Sequence, residues 1–124
     1  MNTSPTPQST FELDLSYLDL MADGDDSMKQ TMLDMLVEEI PIELDKLREA
    51  FLSRDAEQLR QVAHKMKSTL AFVGNEALTV ANATLEKIGQ EGHDLSRAAQ
   101  HLQVLEQGFV QVVPELQRLS AELA

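Results

Sequence analysis

Cysteine and tryptophan are both absent from the 124 residues. Without cysteine there is no disulfide framework, no thiolate metal site and no Cys nucleophile, and a reducing compartment is compatible with the composition. Glycine (5) and proline (4) are too few for a turn-dense β-sandwich. Aromatic residues are only 4%, so the core is expected to be aliphatic and filled with methionine. Bases are also scarce, 10 Lys and Arg against 21 Asp and Glu, for a net charge of −11. That balance argues against a nucleic-acid binder, which needs concentrated Lys and Arg, and against docking on anionic lipid. No apolar run approaches the roughly 20 residues that span a bilayer. The first ten residues, MNTSPTPQST, have neither a basic nor an apolar signal-peptide region. Residues 1–10 read as a short disordered tail and residues 11–124 as one domain. Neither GxGxxG nor GxxxxGK[ST] occurs.

What is present is helical patterning. A mass of 13.8 kDa with 43% hydrophobic residues suits one domain with one modest core. Ser16 is placed to cap a short helix over residues 17–22, with Leu18 and Met21 as its apolar contacts. Asp23-Gly24-Asp25-Asp26 breaks the chain and puts acids at the next helix N-terminus. Leu33, Leu36, Ile40, Leu44, Leu47 and Phe51 then recur at steps of three and four, one face of a long helix. Pro41 within it predicts a bend, not a stop. Asp55 is the expected N-cap of a helix buried through Leu59, Val62, Met66, Leu70 and Val73, which Gly74 ends. Leu78, Ala81, Leu85 and Ile88 mark a further helix, and residues 89–94 read as a loop. The last helix runs on Leu95, Ala98, Leu102, Leu105, Phe109, Val112, Leu116, Leu119 and Leu123, with Pro114 as a candidate kink. No segment alternates with period two. The expectation is an all-α fold, an antiparallel up-and-down four-helix bundle with a short additional N-terminal helix.

The helix after Asp55 carries the chemistry. At 100° per residue, with Met66 at the buried centre, His64 falls about 160° away and faces solvent. Arg60 is four residues before it, Lys67 three after and Ser68 four after, all spacings that bring side chains together. Lys65 points about 100° round the helix and is a poorer partner. An exposed imidazole is largely neutral near pH 7 and offers a nitrogen lone pair. A phosphoryl group on it would be stabilised by Lys67 and by Arg60. Ser68 and Ala71 are small and leave room for a second protein. On spacing alone, the same cluster is also what an ordinary solvated helix face looks like.

The string Ala63-His64-Lys65-Met66-Lys67-Ser68-Thr69-Leu70-Ala71-Phe72-Val73-Gly74 resembles the signature of histidine-containing phosphotransfer (HPt) domains. The pattern is a His, a Lys three positions on, then a small residue, and a Gly ten positions after the His. The resemblance spans about residues 11–123. It implies that His64 is the phosphoacceptor, through Nε2, and that Lys67 contacts the phosphoryl oxygens. It implies that Ser68 fills the small-residue position and that Gly74 allows the turn into the next helix. Glu86 falls where some members place a Gln on the other imidazole nitrogen, and a carboxylate there would orient the ring. Around His64, Arg60, Gln61, Ser68, Ala71 and Phe72 are candidates for partner docking. Phe72 is either an exposed anchor or tucked under the turn at Gly74.

By the same resemblance the protein is a cytoplasmic relay intermediate and not an enzyme. Its partners would be response-regulator receiver domains and a hybrid sensor histidine kinase, with no nucleic acid and no membrane. It needs no cofactor of its own, because Mg²⁺ belongs to the partner receiver. A monomer is expected, and Met1 with its polar tail favours a freestanding protein. Met28, Met32 and Met35 form a stripe on the long helix, read as core filling over an adaptable binding surface. Two other classes stay in view. A ferritin-like metal enzyme needs Glu-x-x-His, which is absent, and His93 and His101 are read as incidental, so no metal ligands are assigned. A scaffold bundle with no phosphorylation would share the fold.

Overall fold

The computed structural model describes residues 11–124. Those residues are all-helical: α1 (Ser16–Ala22), α2 (Asp26–Leu52), α3 (Ala56–Val73), α4 (Glu76–Glu91) and α5 (Ala98–Leu123), with a 3₁₀ turn over Leu95–Arg97 before α5. The expected tail, residues 1–10, lies outside the described residues.

Each main boundary has a local cause. Asp25, Asp55 and Asn75 sit in extended backbone, and their side chains accept from the amides of Met28, Gln58 and Leu78. Each bond satisfies an amide that the first turn leaves without a partner. Gly74 ends α3 at φ 70°, where a Cβ is penalised. Both internal prolines are carried within their helices, Pro41 in α2 and Pro114 in α5. Ser16 is not the cap of α1. Leu15 holds that position, and the Asp14 carboxylate accepts from the Ser16 amide and hydroxyl instead.

The core is one cluster, aliphatic apart from Met66 and Phe109. Leu33, Ile40 and Leu47 of α2 meet Leu59, Met66 and Leu70 of α3, Leu78, Leu85 and Ile88 of α4, and Leu105 and Leu116 of α5. α2 packs on α3 and α5, and α4 packs on the same two helices. α1 lies against α2 and α3, sealed by Leu18 and Ala22.

Three further sequence expectations need correction. Residues 89–91 are helical and not loop, because Gly89 is buried at a close crossing of α4 over α3. The methionine stripe does not fill the core: Met28 and Met35 are exposed and Met32 only packs at its edge, leaving Met66 as the one core methionine among the described residues. Met21 is also exposed, and Ala22 takes its expected place against the core.

The segment before α1 is strapped across the α3–α4 turn. The Asp14 amide donates to the Val73 carbonyl (3.0 Å), and Asn75 Nδ2 donates to the Glu12 carbonyl (2.9 Å). Phe11 packs beside Gly108 of α5. This strap fixes where α1 lies on α3, and so what flanks the polar face of that helix.

Candidate functional site

The exposed face of α3 follows from its sequence. Leu59, Val62, Ala63, Met66, Leu70 and Val73 are buried, which turns His64, Lys67, Ser68 and Ala71 outward. The His64 side chain is 63% exposed and that of Lys67 54%. Lys65 points away from them, towards the Glu43 side of the helix, where it lines a groove with Lys46, Gln58 and Gln61.

α4 completes the site. Glu86 is only 19% exposed and lies between two partners. Its Oε2 is 2.8 Å from His64 Nδ1, and its Oε1 is 3.3 Å from Lys67 Nζ. The hydrogen bond from His64 holds the Glu86 carboxyl below the usual range, against opposing desolvation and with help from Lys67. Glu86 is therefore an anion at neutral pH and can only accept. Nδ1 must carry the ring proton, which in the neutral imidazole leaves the lone pair on Nε2. The structure brings together His64, Lys67 and Glu86, three residues singled out from the sequence.

Arg60 is arranged otherwise. Its Nε and Nη2 donate to both oxygens of Glu57 at 3.1 and 2.7 Å, and Gln61 Nε2 donates to Glu57 Oε2 at 2.9 Å. These bonds hold the Glu57 carboxyl down at about 2. Arg60 still feels the field of Glu86.

The proposed docking residues border the ring. Gln61, Ser68 and Ala71 are exposed. Phe72 is half-buried, and it does not tuck under the Gly74 turn alone. Its ring lies 5.1 Å from that of Tyr17, tilted 31°, so an aromatic pair ties α1 to α3. Tyr17 is itself exposed, as are Leu20 and Met21 beside it on α1. Gly74 lies at the α3–α4 turn, away from the ring, where it gives clearance to Asp14.

Two neighbours of the site were not singled out from the sequence. Tyr17 is the sole tyrosine, in a helix too short to rank by periodicity. Asn82 is 1% exposed and donates from Nδ2 to the Ala63 carbonyl at 2.8 Å. Its signal was available: an amide on the apolar stripe of Leu78, Ala81 and Leu85. Among the described residues, no cluster of three or more His, Asp or Glu is arranged to hold a metal ion, and no helix is long and apolar enough to cross a membrane.

Comparison with known proteins adds two findings. The chain resembles the solved histidine-containing phosphotransfer protein B (HptB) from Pseudomonas aeruginosa PAO1, with a TM-score of 0.81 and 24% identity over 92% of this chain and 98% of that one. At that identity the likeness shows a shared fold. No curated protein matches the sequence. The family model named Hpt domain matches residues 31–123, three quarters of the chain, and covers α3 and α4 in full. On that match the chain belongs to the Hpt domain family, the histidine phosphotransfer proteins of two-component phosphorelays.

Proposed function

We propose that His64 reversibly accepts a phosphoryl group from the aspartyl phosphate of one receiver domain and passes it to another. The single observation that supports this most is the 2.8 Å bond between His64 Nδ1 and Glu86, which directs the lone pair to Nε2 on an exposed ring. In the step proposed, Nε2 forms a bond to phosphorus as the bond from phosphorus to the aspartyl oxygen breaks. The aspartate carboxylate leaves with the electron pair. The proton stays on Nδ1, and Glu86 offsets the positive charge that grows on the ring. Lys67 is exposed and carries its ammonium on a long four-carbon stem, so that group can leave Glu86 for the phosphoryl oxygens. Onward transfer is the reverse, with the ring departing as a neutral imidazole.

The reading extends to partners and setting. The four long helices form the antiparallel bundle, which presents the nucleophile. Receiver domains, charged by a hybrid sensor kinase, bring the aspartate and its Mg²⁺. Docking engages Gln61, Ser68, Ala71 and the Tyr17–Phe72 pair, with the exposed side of α1 as an apolar border. The protein works as a cytoplasmic monomer and is not itself the catalyst.

The test is His64→Gln. Incubated with a phosphorylated receiver, the parent protein should acquire acid-labile phosphate and the variant none, with helical circular dichroism unchanged. Phosphate uptake by a folded His64→Gln protein would overturn the assignment. A scaffold role would leave partner binding intact in the variant and show no phosphate on either protein.

A further inference from the structure

We infer that Gly89 and Asn82 are positioning residues for His64, because together they set the α3–α4 separation that delivers Glu86 to Nδ1. The inference rests on the reading of His64 as phosphoacceptor, and it concerns a part of α4 that the sequence signature does not include.

Residues 82, 86 and 89 follow one another at i, i+4 and i+7, a single face of α4. That face is turned to α3 over its whole length. Asn82 holds the Ala63 carbonyl, one residue before His64. Glu86 holds the ring and Lys67. Gly89 lies over the first turns of α3: a Cβ there would stand 2.7 Å from the Ala56 carbonyl oxygen, 2.7 Å from the Arg60 nitrogen and 3.0 Å from the Arg60 Cα. α4 thus turns back along α3, and Glu86 is bracketed by a hydrogen bond on one side and a backbone-to-backbone contact on the other.

The atoms that Gly89 approaches are decisive. A flexible side-chain tip could swing away from an added methyl group, whereas the backbone of a helix cannot. Ordinary contact between such atoms is about 3.5 Å. A methyl at position 89 therefore forces the helices apart by several tenths of an ångström, one turn from the bond to His64. Added to 2.8 Å, that displacement takes the His64–Glu86 pair to the limit of hydrogen-bond range.

Neither residue is what a helix core selects for stability alone. Glycine is a poor helix former in mid-helix. Asn82 is buried with its Oδ1 left without a partner, which an apolar residue of similar size would avoid. Their shared effect is to fix the distance between two helices at the level of the ring. Without that distance the imidazole is free to move its proton to Nε2, and the lone pair then faces away from an incoming receiver. The charged groups around the ring are Glu86, Lys67 and Arg60, the last held by Glu57.

The test is ¹⁵N NMR of the His64 imidazole in the full chain at neutral pH, with phosphoryl uptake from a receiver measured in parallel. The parent protein should show mainly the Nδ1–H tautomer. Gly89→Ala should shift the ring towards Nε2–H, as Glu86→Ala should, and slow uptake by about tenfold with little change in receiver affinity. Leu105→Ala, a cavity on α5 away from the site, is the destabilised control and should leave the tautomer unchanged. Asn82→Leu gives a second route if Gly89→Ala does not fold, and the same shift is expected. A parent-like tautomer ratio in a folded Gly89→Ala or Asn82→Leu protein would overturn the inference for that residue. Failure of the parent protein to take phosphate would count against the relay and not against the positioning, which the tautomer reports by itself.

Discussion

Arg60 is held by Glu57, three residues before it on α3, through two parallel hydrogen bonds at 3.1 and 2.7 Å. The guanidinium lies one turn before His64 and yet is committed elsewhere. An exposed pair of this kind is weak in water and exchanges readily. It nonetheless competes with any phosphoryl group that Arg60 would reach. Glu57→Gln should free the guanidinium towards Glu86 and His64. We expect phosphoryl uptake to rise a few-fold at low salt, with the gain lost at high ionic strength. Stopped-flow transfer from a labelled receiver at two salt concentrations checks this, and a slower variant would remove Arg60 from the site.

Lys67 supplies the ammonium of the trio. Its side chain is 54% exposed, and its ammonium lies 3.3 Å from Glu86. Lys67→Ala should slow transfer in both directions by roughly tenfold, the scale of one charge-assisted contact in a solvated site. The ring should remain phosphorylatable. Lys67→Arg should restore part of the rate. Equal rates in all three proteins would remove Lys67 from the mechanism.

Gly74 has two separate reasons to be glycine. Its φ is 70°, and a Cβ would stand 2.8 Å from the Asp14 Cβ and 2.9 Å from the Asp14 carbonyl carbon. Gly74→Ala should cost at least about 1 kcal/mol from backbone conformation alone. It should also loosen the strap, so urea denaturation should show a lower midpoint. Hydrogen exchange at the Asp14 amide, which donates to Val73, should accelerate more than exchange in α5.

Glu43 is a buried carboxyl at 3% exposure, with Oε1 lacking any partner. Burial pushes its pKa above the ordinary value; Glu39 adds to this, while Thr69, Lys65 and Lys46 oppose it. A carboxyl whose folded value is raised binds its proton more tightly in the native state. Its contribution is therefore fully present below the unfolded value and lost as pH rises through the folded one. Glu43→Met should remove that decline and stabilise the protein near pH 7 by about 1–2 kcal/mol. Thermal melts between pH 4 and pH 8 check both, and an unchanged pH slope would contradict the account.

The helices and their limits were legible because they rest on local rules. The apolar steps from Leu33 to Leu47 and from Leu59 to Val73 need only the 3.6-residue turn, and Asp55 and Gly74 need only cap chemistry. Met28 and Met35 were misread because periodicity shows which face is apolar but not whether a neighbour covers it. Gly89 was misread because glycine followed by Gln-Glu-Gly-His-Asp is the local pattern of a turn, while its real cause lies 29 residues away at Arg60.

The amino-acid sequence alone determined an all-helical chain and the outward direction of His64, Lys67 and Ser68, since each follows from contacts within one helix. Only the tertiary structure decided that Glu86 meets the ring at Nδ1, that Glu57 occupies Arg60 and that Tyr17 pairs with Phe72. The first and last depend on how closely two helices approach. The Arg60–Glu57 pair, though local, depends on which of several possible partners a long side chain takes once its surroundings are in place.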